Sequence, residues 1–162
     1  MIRWGLAIVA LAGCGADPAM PGDGGADVPR LPVAQRDITR QSATMARSHE
    51  MGTNCAQCHS AEGSASGFFT TSGSVRRMDD QPFPGVTVEL RNAPMGRGDL
   101  LASAVTDQTG NFYTTRPIGG APTAMFVSLV SPSGARRNMP FPTLSGQCNF
   151  CHVGRQRFRM TE

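Results

Sequence analysis

Val86-Thr87-Val88-Glu89-Leu90 alternates apolar and polar residues at every position, and this stretch decides the fold. A period of two places the apolar side chains on one face of a β-strand and the polar ones on the other. Later in the chain, Met125, Val127 and Leu129 recur with the same period of two and alternate with Phe126, Ser128 and Val130. We therefore expect strands with one face toward a core and one toward solvent.

Turn signals separate these strands from their neighbours. Pro82-Phe83-Pro84-Gly85 precedes the first strand, and Ser131-Pro132-Ser133-Gly134 follows the second. Asp107-Gln108-Thr109-Gly110-Asn111 predicts a hairpin turn, because Gly110 stands at the position that needs a positive φ. Short strands at this spacing predict a mainly β fold, a small antiparallel β-sandwich over 67–137.

Three segments of this region carry a family resemblance. They are Ser72-Gly73-Ser74-Val75, the stretch from Pro84 to Leu90, and the stretch from Val105 to Phe112. Together they resemble the carboxypeptidase regulatory-like, or transthyretin-like, β-sandwich over roughly 70 residues. The resemblance implies an immunoglobulin- or transthyretin-like sandwich with a structural or binding role, and it carries no catalytic residues.

The pattern Cys-x-x-Cys-His occurs twice, once on each side of the expected sandwich. Two cysteines at this spacing can reach two vinyl groups on one porphyrin edge, and the histidine that follows can reach the iron. The motifs resemble those of multihaem c-type cytochromes, which implies two covalently bound haem c groups. The implied thioether residues are Cys55 and Cys58 for one haem and Cys148 and Cys151 for the other, with His59 and His152 as proximal ligands.

A structural zinc site and a redox dithiol are the alternatives. Two Cys-x-x-Cys pairs suffice for a Cys₄ zinc site, but here the pairs lie far apart and such a site has no use for the two histidines. A thioredoxin-like pair needs a βαβ context, which this pattern lacks. The fifth cysteine is Cys14, so we expect none to be left over for a disulfide.

The distal ligands are open. His49 is the remaining histidine of three, so at most one iron can be bis-histidine within a chain. We expect His49 to be a distal ligand to one of the irons, the alternative being a surface histidine. The other iron would take methionine, a side chain of another chain, or water. Met139 is the favoured methionine, and the other candidates are Met45, Met51, Met78, Met95 and Met160.

The start of the chain has the pattern of an export signal. Arg3 supplies the positive charge, and Trp4 to Leu11 is an apolar stretch too short to span a membrane. Leu11-Ala12-Gly13-Cys14 resembles the bacterial lipobox. The resemblance implies lipidation of Cys14 and a bacterial envelope protein, anchored in the outer membrane and facing the periplasm or the surface.

These patterns divide the chain into five parts. We expect a lipoprotein signal peptide (1–13), a disordered tether (14–35), a first haem segment (36–66), the β-sandwich (67–137) and a second haem segment (138–162). The haem segments are expected to be short helical or irregular stretches flanking the sandwich. Because domain termini often lie close in space, we expect the two haem segments to meet.

Two details of the haem segments can be predicted. Asp37 is expected to cap a short helix, with Ile38, Met45 and Met51 on its apolar side and His49 on its last turn. The basic tail from Arg155 to Arg159 is expected to be mobile, and it either stays solvated or pairs with haem propionates.

The charge and the motifs together indicate a function. The formal net charge is only +3 and there is no basic patch interleaved with aromatic residues, so we expect no nucleic-acid partner. We expect an electron carrier between redox proteins, either other cytochromes or a terminal reductase, and not an enzyme. The alternatives are a haem peroxidase or small-ligand sensor with one open iron, and a haem-bearing structural or filament subunit. The oligomeric state is open.

Overall fold

Short β-strands in two sheets make up the fold. The structure is a computed structural model and describes residues 39–60, 63–65, 67–118, 124–152 and 158–161. These residues lie in one compact unit, Leu31–Glu162. The strands among them are β1 (Thr71–Arg77), β2 (Thr87–Arg91), β3 (Leu100–Val105), β4 (Asn111–Thr114), β5 (Phe126–Val130), β6 (Arg136–Asn138), β7 (Gly146–Gln147) and β8 (Phe158–Met160).

The pairing of these strands gives a small sandwich. One sheet has the order β3-β2-β5-β6, and each neighbouring pair in it is antiparallel. In the other sheet β1 pairs antiparallel with β4 and parallel with β7 and β8. Both sheets contribute side chains to one hydrophobic core. The predicted mainly β sandwich is confirmed, and the two short parallel pairings at β1 are an addition.

The alternation in β2 and β5 matches their burial. In β2 the apolar Val88 and Leu90 are 0% exposed, whereas the intervening Glu89 is only half-buried. In β5 the exception is Ser128, a polar residue that is 1% exposed. Its hydroxyl donates a hydrogen bond to Asn138 Oδ1 at 2.6 Å, which compensates its burial.

The turn at Asp107 was predicted correctly, but the pairing of the two strands that it connects was not. Gly110 has φ +75°, and Asp107 Oδ1 accepts hydrogen bonds from the backbone N–H groups of Thr109 and Asn111. The prediction of a hairpin is wrong because the turn connects strands of different sheets. β3 takes β2 as its hydrogen-bonding partner, and β4 takes β1.

The expected helix before the first motif is wrong for the described residues 39–54. Their backbone groups bond to the sandwich: Ser42 N–H donates to Tyr113 O at 2.9 Å, and Gln108 N–H donates to Ala46 O at 2.9 Å. Gln41 also forms a bridge to Thr114. These tertiary bonds replace the helical ones, and they outweigh a weak local preference for helix.

The end of the chain is not a mobile tail throughout. Phe158–Met160 forms β8 against β1, and Met160 is 3% exposed in the core. The guanidinium of Arg159 donates to both carboxylate oxygens of Asp80, at 3.1 and 2.9 Å, so it is already paired. The part of the chain after the expected sandwich thus contributes β7 and β8 to the sheet that contains β1.

Several predictions fall outside the described residues. The signal peptide, Cys14, the tether, Asp37 and Ile38 all precede residue 39, and Arg155 and Arg157 lie in the gap at 153–157. These predictions stay predictions. In the part of the chain that the structure describes, no helix is long and apolar enough to cross a bilayer.

Gly73, at the middle of β1, offers a direct test of this packing. A Cβ at Gly73 would lie 2.6 Å from Phe112 Cζ and 2.9 Å from Cys148 Cβ. We expect Gly73→Ala to destabilise the protein by about 1–3 kcal/mol, because both neighbours are packed in the core. Urea denaturation measures this, with Arg97→Ala, an exposed position, as the control. Equal stability of the two variants would contradict the packing described here.

Candidate functional site

The two Cys-x-x-Cys-His motifs fold into the same local structure. Each begins with a 3₁₀ turn, the first at Cys55–Gln57 and the second at Cys148–Phe150. In both, the carbonyl of the first cysteine accepts hydrogen bonds from the N–H groups of the second cysteine and of the histidine. We call them the first and second motif turns. Such a turn is what the Cys-x-x-Cys-His spacing predicts for presenting two thiols and an imidazole to one group.

The two motif turns are in contact. Asn149, in the second turn, donates through Nδ2 to Thr53 O at 2.8 Å, two residues before Cys55. Its Nδ2 also donates to Ser74 Oγ, while its Oδ1 accepts from Ser74 N–H, both at 3.0 Å. Both turns thus rest on β1. The expectation that the motifs meet in space is confirmed for the turns themselves.

His59 is held in the tautomer that a metal ligand requires. Its Nδ1 lies 3.2 Å from the carbonyl oxygen of Gly67, which can only accept a hydrogen bond. Nδ1 therefore carries the proton, and in the neutral ring Nε2 keeps its lone pair. Gly67 has φ +86°, a conformation that glycine adopts without strain, and this backbone geometry directs its carbonyl to the ring.

The structure brings His49 next to His59. Their ring centroids are 6.1 Å apart, with an angle of 30° between the planes. His49 is itself exposed, and its carbonyl accepts a hydrogen bond from Asn111 Nδ2 at 2.8 Å. The two imidazoles are therefore neighbours in a stacked arrangement, and ligation of an iron by His49 stays a prediction.

Two aromatic residues that the sequence analysis did not single out continue this group. Phe69 stacks on His59 at 4.0 Å between centroids, and Tyr113 stacks on Phe69 at 4.6 Å. Phe69 N–H also donates to His59 O at 3.0 Å, so the stack is fixed by backbone as well as by rings. No sequence motif predicts this stack, because Tyr113 belongs to β4 and lies far from His59 and Phe69 in the sequence.

In the second motif, the ring of His152 stacks on Phe158 of β8 at 3.7 Å between centroids. Its two cysteines differ in burial. Cys148 is 7% exposed and belongs to the hydrophobic core, whereas Cys151 is exposed. A porphyrin bonded to both sulfurs would therefore have to displace part of the packing around Cys148.

Burial controls the chemistry of the thiols. Desolvation raises the pKa of Cys148 from 9.0 to about 12, and the nearby Cys55 thiol adds to the rise. Burial also raises the pKa of Cys55, although a hydrogen bond with Ser72 opposes this. Both groups are thus neutral thiols at neutral pH, without the depressed pKa of a reactive dithiol.

Cys58 departs from the expectation that no cysteine would enter a disulfide, because it is disulfide-bonded. The expectation of no disulfide was wrong because the spacing of cysteines along the chain does not reveal which sulfurs pair. Attachment of haem at Cys58 requires this bond to be absent, as the same sulfur would form the thioether.

In the first motif, His59 would hold a haem iron through Nε2, with the second histidine, His49, beside it. The second motif offers the same turn and one exposed cysteine, but its other cysteine is enclosed. Among the described residues, no three His, Cys, Asp or Glu side chains converge as a group that could hold a metal ion.

The candidate methionines are distributed widely. Met139 is partly buried and packs against the core cluster, and its N–H donates to Val127 O at 2.9 Å. Met160 is enclosed in the core, whereas Met45, Met78 and Met95 are 57–83% exposed. Ligation of the second iron by Met139 stays a prediction.

The burial difference in the second motif predicts unequal thiol reactivity in protein made without haem. At pH 8 we expect iodoacetamide to modify Cys151 at least about tenfold faster than Cys148, because the higher pKa of Cys148 leaves almost no thiolate. Peptide mass mapping over time measures both rates. Similar rates would contradict the burial of Cys148.

The raised pKa of Cys148 also affects stability. The neutral thiol stabilises the fold below pH 9, and this contribution is lost as the pH rises toward 12.

Comparison with known proteins gives no match to a family model, to a curated protein or to a solved structure.

Proposed function

We propose that this protein is an envelope-anchored dihaem c-type cytochrome that carries electrons between redox partners. The observation that carries the proposal is the pair of similar motif turns, in contact on β1, one of which holds its histidine through a contact between Nδ1 and the Gly67 carbonyl. Neither a zinc site nor a redox dithiol accounts for a histidine placed directly after each turn.

The residues of the chain have distinct tasks in this proposal. Cys55 and Cys58 anchor one porphyrin, Cys148 and Cys151 anchor the other, and His59 and His152 supply proximal nitrogens. Haem iron, when bound, supplies exchange of one electron between its ferric and ferrous forms.

Around the first iron, three groups support His59. The Gly67 carbonyl holds its Nδ1 proton, Phe69 covers one ring face, and His49 offers a second imidazole. If His59 and His49 both held the iron, no position would be left for a substrate, which would suit electron transfer rather than catalysis.

Location and partners follow from the lipobox-like start of the chain. A lipid on Cys14 would tether the protein to the outer membrane, facing the periplasm or the surface. The partners would then be other redox proteins of the envelope, either cytochromes or a terminal reductase. Nucleic acid is not a proposed partner.

Spectroscopy of the exported protein tests the proposal. We expect the dithionite-reduced protein to show the sharp α-band of low-spin haem c, and a redox titration to reveal two one-electron steps. Unequal axial ligands would separate the two potentials. A colourless protein that contains zinc would contradict the proposal.

A small-ligand site at the second iron is the second candidate function. The position of His49 beside His59 favours this second function. The chain has three histidines, so if His49 and His59 share one iron, the iron bound by His152 has no second histidine. If Met139 does not bind there, carbon monoxide will bind to one haem per chain in the wild-type protein. Absence of carbon monoxide binding would exclude this function.

A further inference from the structure

Asn149 is a buried amide whose hydrogen bonds all leave its own motif. It is 2% exposed and makes three side-chain hydrogen bonds, one to Thr53 and two to Ser74. Both amide hydrogens and the amide oxygen are therefore used. A buried amide whose N–H groups and oxygen are all hydrogen-bonded has one favourable orientation, because rotation of the side chain would leave a donor or acceptor without a hydrogen bond.

Haem attachment does not require an asparagine at this place. The equivalent position of the first motif is Ala56, which has no side-chain polar group. Asn149 thus performs a task that the pattern Cys-x-x-Cys-His does not explain. Its partners show what the task is: Thr53 leads into the first motif turn, and Ser74 belongs to the strand that carries both turns.

Ser74 extends the connection to the segment that carries His49. Its hydroxyl donates to Asn111 Oδ1 at 2.5 Å and accepts from Gly52 N–H at 2.9 Å. Asn111 in turn donates to His49 O. One buried network therefore links the second motif turn, the start of the first and the backbone of the expected distal ligand.

The two attachment points are close as a result. Cys55 follows Thr53 by two residues and Cys148 precedes Asn149 directly, and the two thiols are near enough to interact electrostatically. Groups attached at neighbouring points on a rigid network keep a fixed separation. Looser turns would allow that separation to vary.

We infer that Asn149 is a positioning residue that fixes the two motif turns relative to each other, so that haems attached there form one magnetically interacting pair. The inference rests on the proposed function and adds to it, because a pair in close contact can exchange electrons internally. The protein would then accept two electrons as one unit.

Electron paramagnetic resonance of the exported, haem-loaded protein tests the inference. We expect the fully oxidised spectrum to differ from the sum of two independent ferric haems, and the lines of a single haem to appear once the other is reduced. A fully oxidised spectrum equal to that sum would overturn the inference. A protein without haem would instead defeat the proposed function, so the two failures are distinguishable.

Variants separate positioning from mere stability. Asn149→Ala removes all three bonds, and Asn149→Asp keeps the acceptor for Ser74 N–H but loses the donor to Thr53. We expect both to shift the oxidised spectrum toward the independent sum. Ser128→Ala is the control, because it removes a buried hydrogen bond from β5 in the other sheet. We expect it to lower stability with the spectrum unchanged. If the Asn149 variants have the same oxidised spectrum as the wild-type protein, the inference is overturned. If neither variant folds, the oxidised spectrum of the wild-type protein decides alone.

Discussion

Replacement of His49 by alanine is expected to convert one low-spin haem to high-spin and to open that iron to carbon monoxide. The ring centroids of His49 and His59 lie 6.1 Å apart, and the prediction is that both imidazoles bind one iron. Removal of one imidazole leaves water or an empty position, and either gives a weaker ligand field. Absorbance and magnetic resonance spectra of the oxidised variant measure the spin state, and we expect a change at half of the haem.

Two further variants sharpen this test. Glu50→Ala is the matched control, since Glu50 is the exposed neighbour of His49 and has no role in ligation. Asn111→Ala removes the hydrogen bond to His49 O, so we expect a partial conversion to high-spin. If His49→Ala leaves both haems low-spin, His49 is a surface histidine and not a ligand.

Substitution of the motif cysteines in pairs should remove the haems one at a time. Covalent attachment at each motif depends on its own two sulfurs, so Cys55→Ser with Cys58→Ser should leave one haem per chain. Cys148→Ser with Cys151→Ser should do the same, and the fourfold variant should carry none. Haem staining after denaturing electrophoresis measures this, because only covalent haem stays with the chain.

The same variants discriminate against a zinc site. A Cys₄ site needs both pairs, so loss of either pair would abolish metal binding altogether. Retention of one haem after either double substitution is expected only for two separate attachment sites. Complete loss of the chromophore in each double variant would contradict two independent haems.

The parts of the fold that the sequence predicts are those with a local cause. The alternation in β2 and β5 needs only a buried face, and the turn at Gly110 needs only a residue that accepts positive φ. β7 and β8 have no such signal, because they are two and three residues long and exist by pairing with β1. The expected helix before Cys55 failed for the same reason, since bonds to the sandwich replaced it.

The candidate site likewise has features that sequence spacing predicts and features that depend on tertiary contacts. The four cysteines and two motif histidines could be named from spacing alone, and so could His49, as the third histidine. Its position beside His59 could not, because Asn111 and Ser74 hold that segment from strands distant in sequence. The burial of Cys148 could not be predicted from the sequence either, because it follows from the pairing of Gly146–Gln147 with β1.

Intact mass of the exported wild-type protein tests the central claim most directly. Produced with its own signal in a bacterium that attaches haem c, the mature chain is expected to carry the added mass of two haems, retained under denaturing conditions. A mature chain with no haem mass and four unmodified motif sulfurs would contradict the account.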